Sequence, residues 1–456
     1  MEAPDTAPET SSSAATPRAS WRDSVVVYLE PRVLIVLLLG FSSGLPLALS
    51  GSTLLIWMRE SGVDLGTIGL FALVGTPYTL KFIWAPFVDA LHVPFFTQAF
   101  GRRRGWLVCS QLLLIASILL LALTDPARSP LFVALGALLV AAMSSTQDIV
   151  VDAFRVESLP ESEQAAGMAT YVAAYRIGML VSTAGALFLV SAYEGSGIAR
   201  SSAWMWGYVT MAALVLIGTV TALAATEPEQ STRADAATSG ETAFVRVIHA
   251  AFGAFSEFLL RKDAIAALVF VVLFKFTDAF SGIMTPPFVI DLGFSRNDYA
   301  TIVKGVGFAA TLIGGFAGGF VARRYSLAAS LWIGGVLQAV ANLSFAWLAL
   351  VGANHWALVL AITAENFTSS IGTVIFVAYL SALCRNPLHT ATQYALLTAL
   401  AAVGRTYLSA AAGFVEQFTG WPLFFVICVV VAAPSLILLA WLQRRGHFEA
   451  LGPIKV

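Results

Sequence analysis

The sequence predicts an all-α integral membrane protein with about twelve transmembrane helices in two six-helix halves. Of its 456 residues, 58% are hydrophobic and only 12% are charged, whereas soluble domains carry about 25% charged residues. Twelve windows of about 20 apolar residues lie between polar breaks, and each is expected to be a helix, because lipid offers the backbone no hydrogen-bond partners. The predicted spans cover residues 33–58, 66–91, 105–124, 130–154, 165–192, 203–225, 264–291, 297–322, 326–350, 354–383, 389–416 and 421–443.

The polar segments divide the chain into five regions. The N-terminus is rich in Ala, Ser, Thr and Pro, a composition typical of disordered tails. The longest loop follows the sixth span, and its Thr, Ser, Ala and Asp content is typical of a linker. We therefore predict a tail over 1–22, an N-terminal bundle over 23–226, a cytoplasmic linker over 227–263, a C-terminal bundle over 264–443 and a cytoplasmic tail over 444–456.

Positive side chains are concentrated in alternate loops, and this bias sets the predicted orientation. One set of loops holds Arg102, Arg103, Arg104, Arg233, Arg246, Arg261, Lys262, Arg323, Arg324, Arg444 and Arg445. The other set holds only Arg59, Arg128, Arg200 and Arg296. Because positive loops stay in the cytoplasm, both termini are predicted to be cytoplasmic.

Charged residues inside the spans follow a three-helix rhythm. Spans three, six, nine and twelve have no acidic or basic side chain in their interiors. A charge facing lipid is costly, so the charges of the other spans should face a bundle interior or a wet cavity. A charge-free helix at every third position favours four three-helix repeats over chance placement, which is the arrangement of the major facilitator superfamily. The charged interior residues are Lys81, Asp148, Asp152, Arg176, Lys275, Asp278, Lys304, Glu365 and Arg405.

Two long stretches carry a family resemblance. Residues Leu37 to Asp89 and Ser145 to Ser182 closely resemble the AmpG-type muropeptide permeases. The resemblance implies a proton-driven importer of N-acetylglucosamine-anhydro-N-acetylmuramyl peptides in the Gram-negative inner membrane. Acetyl-coenzyme A transporters are relatives, so a carrier of that or another anionic solute remains the alternative. The part of the chain from about Ala264 onward resembles the family less clearly.

Cations near the middle of the spans are the candidate cargo ligands. Five cations face four interior carboxylates, and a cargo with carboxylates or phosphates would balance the excess. Arginine suits this role because its planar guanidinium binds a carboxylate through two hydrogen bonds. Internal ion pairing is the alternative for each cation, and it is favoured for Lys275 with Asp278, three residues later. The candidates are Lys81, Arg176, Lys275, Lys304 and Arg405, with Tyr175 beside them.

Carboxylates in the spans suggest two further roles. Asp148 and Glu365 lie well inside their spans, where the neutral form gains ground, so they are the candidate proton-coupling residues. Asp152 and Arg155 lie near the cytoplasmic end of span four. We expect these two residues to form a gate network with Asp89 and Arg102.

Helix breaks are predicted in three spans. Span one contains Ser43-Gly44-Leu45-Pro46, span two contains Gly75-Thr76-Pro77, and span seven contains Thr285-Pro286-Pro287. Proline removes a backbone hydrogen bond and kinks a helix. Spans one and seven are counterparts in the two halves, so kinks there would let each half rock.

Several function classes find no support. The sequence contains no P-loop, no HExxH and no GxSxG, and its five histidines and three cysteines lack metal-ligand spacing. We therefore predict a carrier with no cofactor and no metal, rather than an enzyme such as a membrane acyltransferase. A net charge of −1 gives no reason to expect nucleic acid as a partner. The expected partners are the cargo, protons and membrane lipid, and the expected state is a monomer.

The orientation gives the first testable prediction. Reporter domains fused at Val456 and inserted at Ser61 should report opposite sides of the membrane, with Val456 in the cytoplasm, because the arginine-rich loops stay inside. A reporter fused within the 227–263 loop serves as the control and should agree with Val456. The twelve-span arrangement is wrong if both ends report the same side.

Overall fold

The computed structural model describes residues 26–228, 263–384 and 390–451, and every regular element in these ranges is helical. Eleven helical stretches are long and apolar enough to cross a membrane. The predicted tail over 1–22, almost all of the linker over 227–263 and the last residues of the C-terminal tail lie outside the described residues. The stretches are Pro31–Glu60, Leu65–Ile83, Arg102–Ala122, Pro130–Ser158, Ala166–Gly195, Arg200–Ala224, Ala264–Asp291, Arg296–Arg324, Leu327–Val351, His355–Leu383 and Leu397–Arg444.

The last stretch contains two spans. Leu397–Arg444 is 48 residues long, which corresponds to about 72 Å of helix at 1.5 Å per residue. That is more than twice the roughly 30 Å of a hydrocarbon core. The backbone leaves the helical conformation at Gly420 (φ 71°, ψ 163°), so the chain turns there and crosses again. The described residues therefore form twelve spans, as the sequence predicts, and we number them one to twelve in chain order.

Spans one and seven are both broken near their outer thirds. Span one consists of helices Pro31–Leu49 and Ser52–Glu60, and span seven of Ala264–Gly282 and Thr285–Asp291. In span seven the break directly precedes the Pro286-Pro287 pair, as predicted. In span one Pro46 remains inside the first helix, and the break comes at Ser50-Gly51 instead. The carbonyl of Pro46 still accepts from the Ser50 backbone N–H at 3.1 Å, so the helix continues for one turn past the proline.

Close backbone contacts hold spans one and five together. A Cβ atom added to Gly44 would lie 2.0 Å from the Tyr175 carbonyl oxygen, and one added to Gly178 would lie 2.3 Å from that of Phe41. Only glycine permits this approach, because any side chain would push the two helices apart. This packing fixes the position of Tyr175 along the axis of span one.

The two halves meet at one end of the molecule. We call the end that carries Arg103, Arg323 and Arg444 the inner end, and the opposite end the outer end. At the outer end span two packs against span eleven, and a Cβ on Gly413 would lie 1.8 Å from the Leu65 carbonyl oxygen. Spans five and eight also meet there, through two π-helical segments, Val181–Gly185 and Tyr299–Val306.

Candidate functional site

A cavity of about 770 Å³ lies between the two halves. It is within the 300–1,000 Å³ range of small-molecule sites. Its wall includes spans one, two and five of the N-terminal half and spans seven, eight, ten and eleven of the C-terminal half. The lining reaches toward the inner end at Leu380 and Thr398. Its polar residues are Ser50, Ser52, Tyr78, Thr183, Lys275, Asp278, Lys304, Glu365, Ser369, Thr373, Thr398, Arg405 and Thr406.

Asp278 is the anchor of the cavity's C-terminal wall. Lys275 Nζ donates to Asp278 Oδ2 at 2.9 Å and to Thr373 Oγ1 at 2.9 Å. Ser369 Oγ donates to the other carboxylate oxygen, Asp278 Oδ1, at 2.8 Å. Both charges are thus satisfied by their neighbours. Of the two roles considered for Lys275, the geometry favours an internal ion pair with Asp278.

Lys304 and Glu365 form a looser pair across the same wall. The two side chains interact electrostatically, and Glu365 also interacts electrostatically with Asp278 and Lys275. Within the described residues neither side chain of this pair has an ion-pair contact within 4.0 Å. Lys304 lies in the π-helical turn of span eight, with its Nζ 5.6 Å from the centre of the Tyr299 ring. Such turns are common at functional sites.

Arg405, like Lys304, is a cation of the cavity without a direct partner among the described residues. Its side chain is exposed and lines the cavity from span eleven. Its charge interacts electrostatically with Asp278 in its own half and with Tyr175 in the other half. Among the described residues no hydrogen bond or ion pair holds its guanidinium. A free guanidinium at a cavity wall can bind an anionic group of a cargo through two hydrogen bonds.

Asp148 lies behind the cavity wall in the N-terminal half. It is 6% exposed and accepts a hydrogen bond from Ser43 of span one. Lys81 is the cation that acts on it most strongly through space. The Asp148 charge also interacts electrostatically with three tyrosines, Tyr78, Tyr171 and Tyr175. Of these three, Tyr78 alone lines the cavity.

The predicted site residues therefore fall into three groups. Lys275, Lys304, Arg405 and Glu365 line the central cavity. Lys81, Asp148 and Tyr175 form a second cluster, connected to the cavity through Tyr78. Arg176 belongs to neither, because it is exposed on span five beside Val172 and Ile177, and its guanidinium has no partner in the described part of the chain.

The predicted gate residues lie at the inner end of span four. Arg155 pairs with Asp152 at 3.7 Å, within one turn of the same helix. Sequence reasoning missed Arg103, which donates from Nε to Glu157 at 3.0 Å and from its backbone N–H to Glu227 at 2.8 Å. The side chain of Asp89 lies outside the described parts, so its predicted network with Arg102 stays a prediction.

Ion pairs join the two halves at the outer end, and sequence reasoning did not foresee them. Arg59 of span one pairs with Asp291 of span seven, with Nη2 2.9 Å from Oδ2. Arg296 of span eight, 6% exposed, donates from Nε to Glu60 at 2.6 Å and from Nη1 to Glu194 at 2.8 Å. We call Arg59, Glu60, Glu194, Asp291 and Arg296 the outer seam. The sequence contains one indication of this contact: the oppositely charged residues Arg59 and Asp291 lie at the ends of the counterpart spans one and seven.

The outer seam closes the cavity on its side of the membrane. Indole N–H groups complete it, since Trp204 donates to Glu60 at 3.0 Å and Trp421 donates to Asp291 at 3.1 Å. Further in, the Thr79 and Thr406 hydroxyls of the two halves are 2.9 Å apart. The contacts therefore hold the outer end closed, whereas the cavity lining extends toward the inner end.

Known proteins resemble most of this chain. A family model of the Major Facilitator Superfamily matches residues 36–405. The anhydromuropeptide permease of Escherichia coli strain K12 is 38% identical over 414 residues, which cover 91% of this chain and 80% of the permease. Putative transporter AmpG 4 of Rickettsia felis is 33% identical over 419 residues, which cover 92% and 98% of the two chains. The family resemblance is confirmed, and it extends into the C-terminal half, where the sequence motifs were less clear.

Solved structures share the fold at low sequence identity. The nucleoside transporter NupG superposes with a TM-score of 0.68 at 13% identity, covering 91% of this chain and 98% of that one. A D-xylose-proton symporter superposes with a TM-score of 0.65 at 14% identity, covering 90% and 97%. These likenesses show a shared fold, and together with the family model they confirm the predicted superfamily architecture.

The outer seam gives the second testable prediction. Arg296→Gln removes the arginine shared by Glu60 and Glu194, so that Glu60 keeps the Trp204 indole and Glu194 keeps the exposed Arg200, and breaking a buried pair costs about 3–5 kcal/mol. The closed outer end should therefore open more often. Ala279→Cys, in the cavity wall, should react at least about tenfold faster with an impermeant thiol reagent added outside, since about 1.4 kcal/mol is tenfold.

Arg128→Gln provides the matched control, because Arg128 is an outer arginine that is 88% exposed and pairs only with nearby Asp125. The native cysteines Cys109, Cys384 and Cys428 are replaced by alanine beforehand. Equal labelling rates for Arg296→Gln and the control would show that the outer seam does not hold the cavity closed.

Proposed function

This chain belongs to the Major Facilitator Superfamily and, within it, to the family of the anhydromuropeptide permeases, and on that premise we propose that it imports anhydromuropeptides from periplasm to cytoplasm in symport with protons. The observation that carries the proposal is the likeness to the Escherichia coli permease, which runs through both halves. The chain is a transporter and not an enzyme. Its place is the inner membrane, with both termini in the cytoplasm.

The chemistry of the cavity suits such a cargo. Lys275, Lys304 and Arg405 face Asp278 and Glu365, so the wall carries one positive charge in excess when all five are ionised. Arg405 is free to bind a stem-peptide carboxylate, and the apolar faces around it suit the sugar rings. The cavity separates the two halves, so a cargo bound there touches both and can be carried by their rocking.

Proton coupling is proposed for two carboxylates, by different routes. Glu365 acts on Lys304 through space. A proton on Glu365 would release Lys304 for a cargo carboxylate, which links proton binding to cargo binding. Asp148 is placed to respond to the arrangement of spans one and two, because Ser43 and Lys81 are the groups that stabilise its charge. Either residue changes its surroundings as the halves rock.

Transport of acetyl-coenzyme A or another anionic solute is the second candidate function. The excess positive charge of the cavity is compatible with phosphate groups as well as carboxylates. Counterflow of labelled anhydromuropeptide in proteoliposomes separates the two. Unlabelled anhydromuropeptide should compete, whereas acetyl-coenzyme A should not. Competition by acetyl-coenzyme A alone would overturn the muropeptide proposal.

The third prediction concerns cargo binding. Arg405→Ala should weaken cargo binding by roughly tenfold to 150-fold, since a charge-assisted hydrogen bond contributes about 1.5–3 kcal/mol. Arg176→Ala tests the second predicted arginine in the same assay. The measurement is equilibrium binding of labelled anhydromuropeptide to purified protein. Arg324→Ala removes an exposed inner-end arginine as control and should bind normally. Normal binding by Arg405→Ala would assign that residue a structural role.

The fourth prediction concerns coupling. Asp148→Asn and Glu365→Gln each remove an ionisable group while keeping the side-chain shape. The variant that removes the coupling site should lose cargo accumulation driven by a pH gradient and keep cargo exchange in the absence of a gradient. Asp125→Asn, in an outer loop, is the control and should retain both activities. If both variants still concentrate cargo against a gradient, neither residue carries the transported proton.

A further inference from the structure

Glu416 is a buried carboxylate that does not line the central cavity. It lies on span eleven and is 5% exposed. In the described residues it has no hydrogen bond and no ion pair. By contrast, the three carboxylates of the outer seam each have an arginine partner and receive further hydrogen bonds or ion pairs.

The position of Glu416 is at the contact between the halves. Gly413, three residues earlier, packs against the backbone of Leu65 and Gly66 of span two. Gln417, the next residue, donates to Asp64 across the same contact at 3.0 Å. Glu416 thus lies between two residues that join the halves, where separation of the outer end would admit water.

The charges around Glu416 do not offset the negative charge that its carboxylate carries when ionised. It interacts electrostatically with Arg59 and Asp291, but these two residues already form an ion pair with each other. Span nine, which packs against this helix, carries no charged residue, and Lys275 and Asp278 of span seven pair at the cavity. Asp64 is exposed, and the Thr67 hydroxyl and backbone N–H lower its pKa, so it stays ionised near neutral pH. Counting Glu416, four carboxylates at this end lie near Arg59, Arg296 and the exposed Arg200.

We propose that Glu416 is a proton-binding latch of the outer seam, which takes up one proton when the outer end closes and releases it when the outer end opens. A buried carboxylate without a cation favours its neutral form, whereas a hydrated one ionises. Closing therefore binds a proton, and acid stabilises the closed outer end. The latch sets the balance of the two conformations and does not depend on which carboxylate carries the transported proton.

The test measures conformation without cargo or a gradient. Spin labels at Ser196→Cys and Asn297→Cys, both exposed outer-loop positions in opposite halves, report the outer opening of the cysteine-free protein. The ratio of closed to open molecules should rise between pH 8 and pH 5.5, by up to about tenfold per pH unit for one linked proton. Glu416→Gln should be mostly closed at both pH values and lose this response.

Asp64→Asn is the matched control, because it removes a solvated charge from the same contact while asparagine can still cap the helix. It should keep the pH response. Glu416→Met is a second neutral variant in case the glutamine variant does not fold, and it too should lose the response. An unchanged ratio in the wild-type protein, or a pH response retained in either neutral variant, would overturn the proposal.

Discussion

The cost of a charge that is out of water and without a partner determines this structure. Twelve apolar spans remove most of the chain from water, so each charge they carry must be paired, hydrated or neutral. Arg296 meets this demand with Glu60 and Glu194, and Asp278 meets it with Lys275. Arg405 has no such partner among the described residues, and we propose that an anionic cargo supplies one.

Alternating access follows from where the pairs are. The pairs of the outer seam hold the halves together only while both partners are in place, and the breaks in spans one and seven lie just inside those contacts. The protein can therefore open outward by exchanging ion pairs for hydration at the outer end, and no helix needs to unfold. We propose that cargo and protons bias this exchange by changing the charges that face each other across the cavity.

The features predicted correctly from the sequence are those that depend on local sequence patterns. Hydropathy located the spans, proline located the break in span seven, and three-residue spacing indicated the Lys275–Asp278 pair. The sequence did not predict the outer seam, since Arg296 contacts Glu60 and Glu194 from far along the chain, and Arg59 contacts Asp291 across the halves. It also could not separate Tyr175 from Arg176, because neighbouring residues on a helix point about 100° apart and the packing of spans one and five selects which one faces the core.

We propose that cargo binds between the halves with a carboxylate on Arg405, and a structure of the protein with anhydromuropeptide bound would test this proposal. We expect cargo density in the central cavity, with a stem-peptide carboxylate within hydrogen-bond distance of the Arg405 guanidinium and the sugars contacting both halves. Cargo bound outside the cavity, or inside it with Arg405 paired only to protein groups, would contradict the proposal.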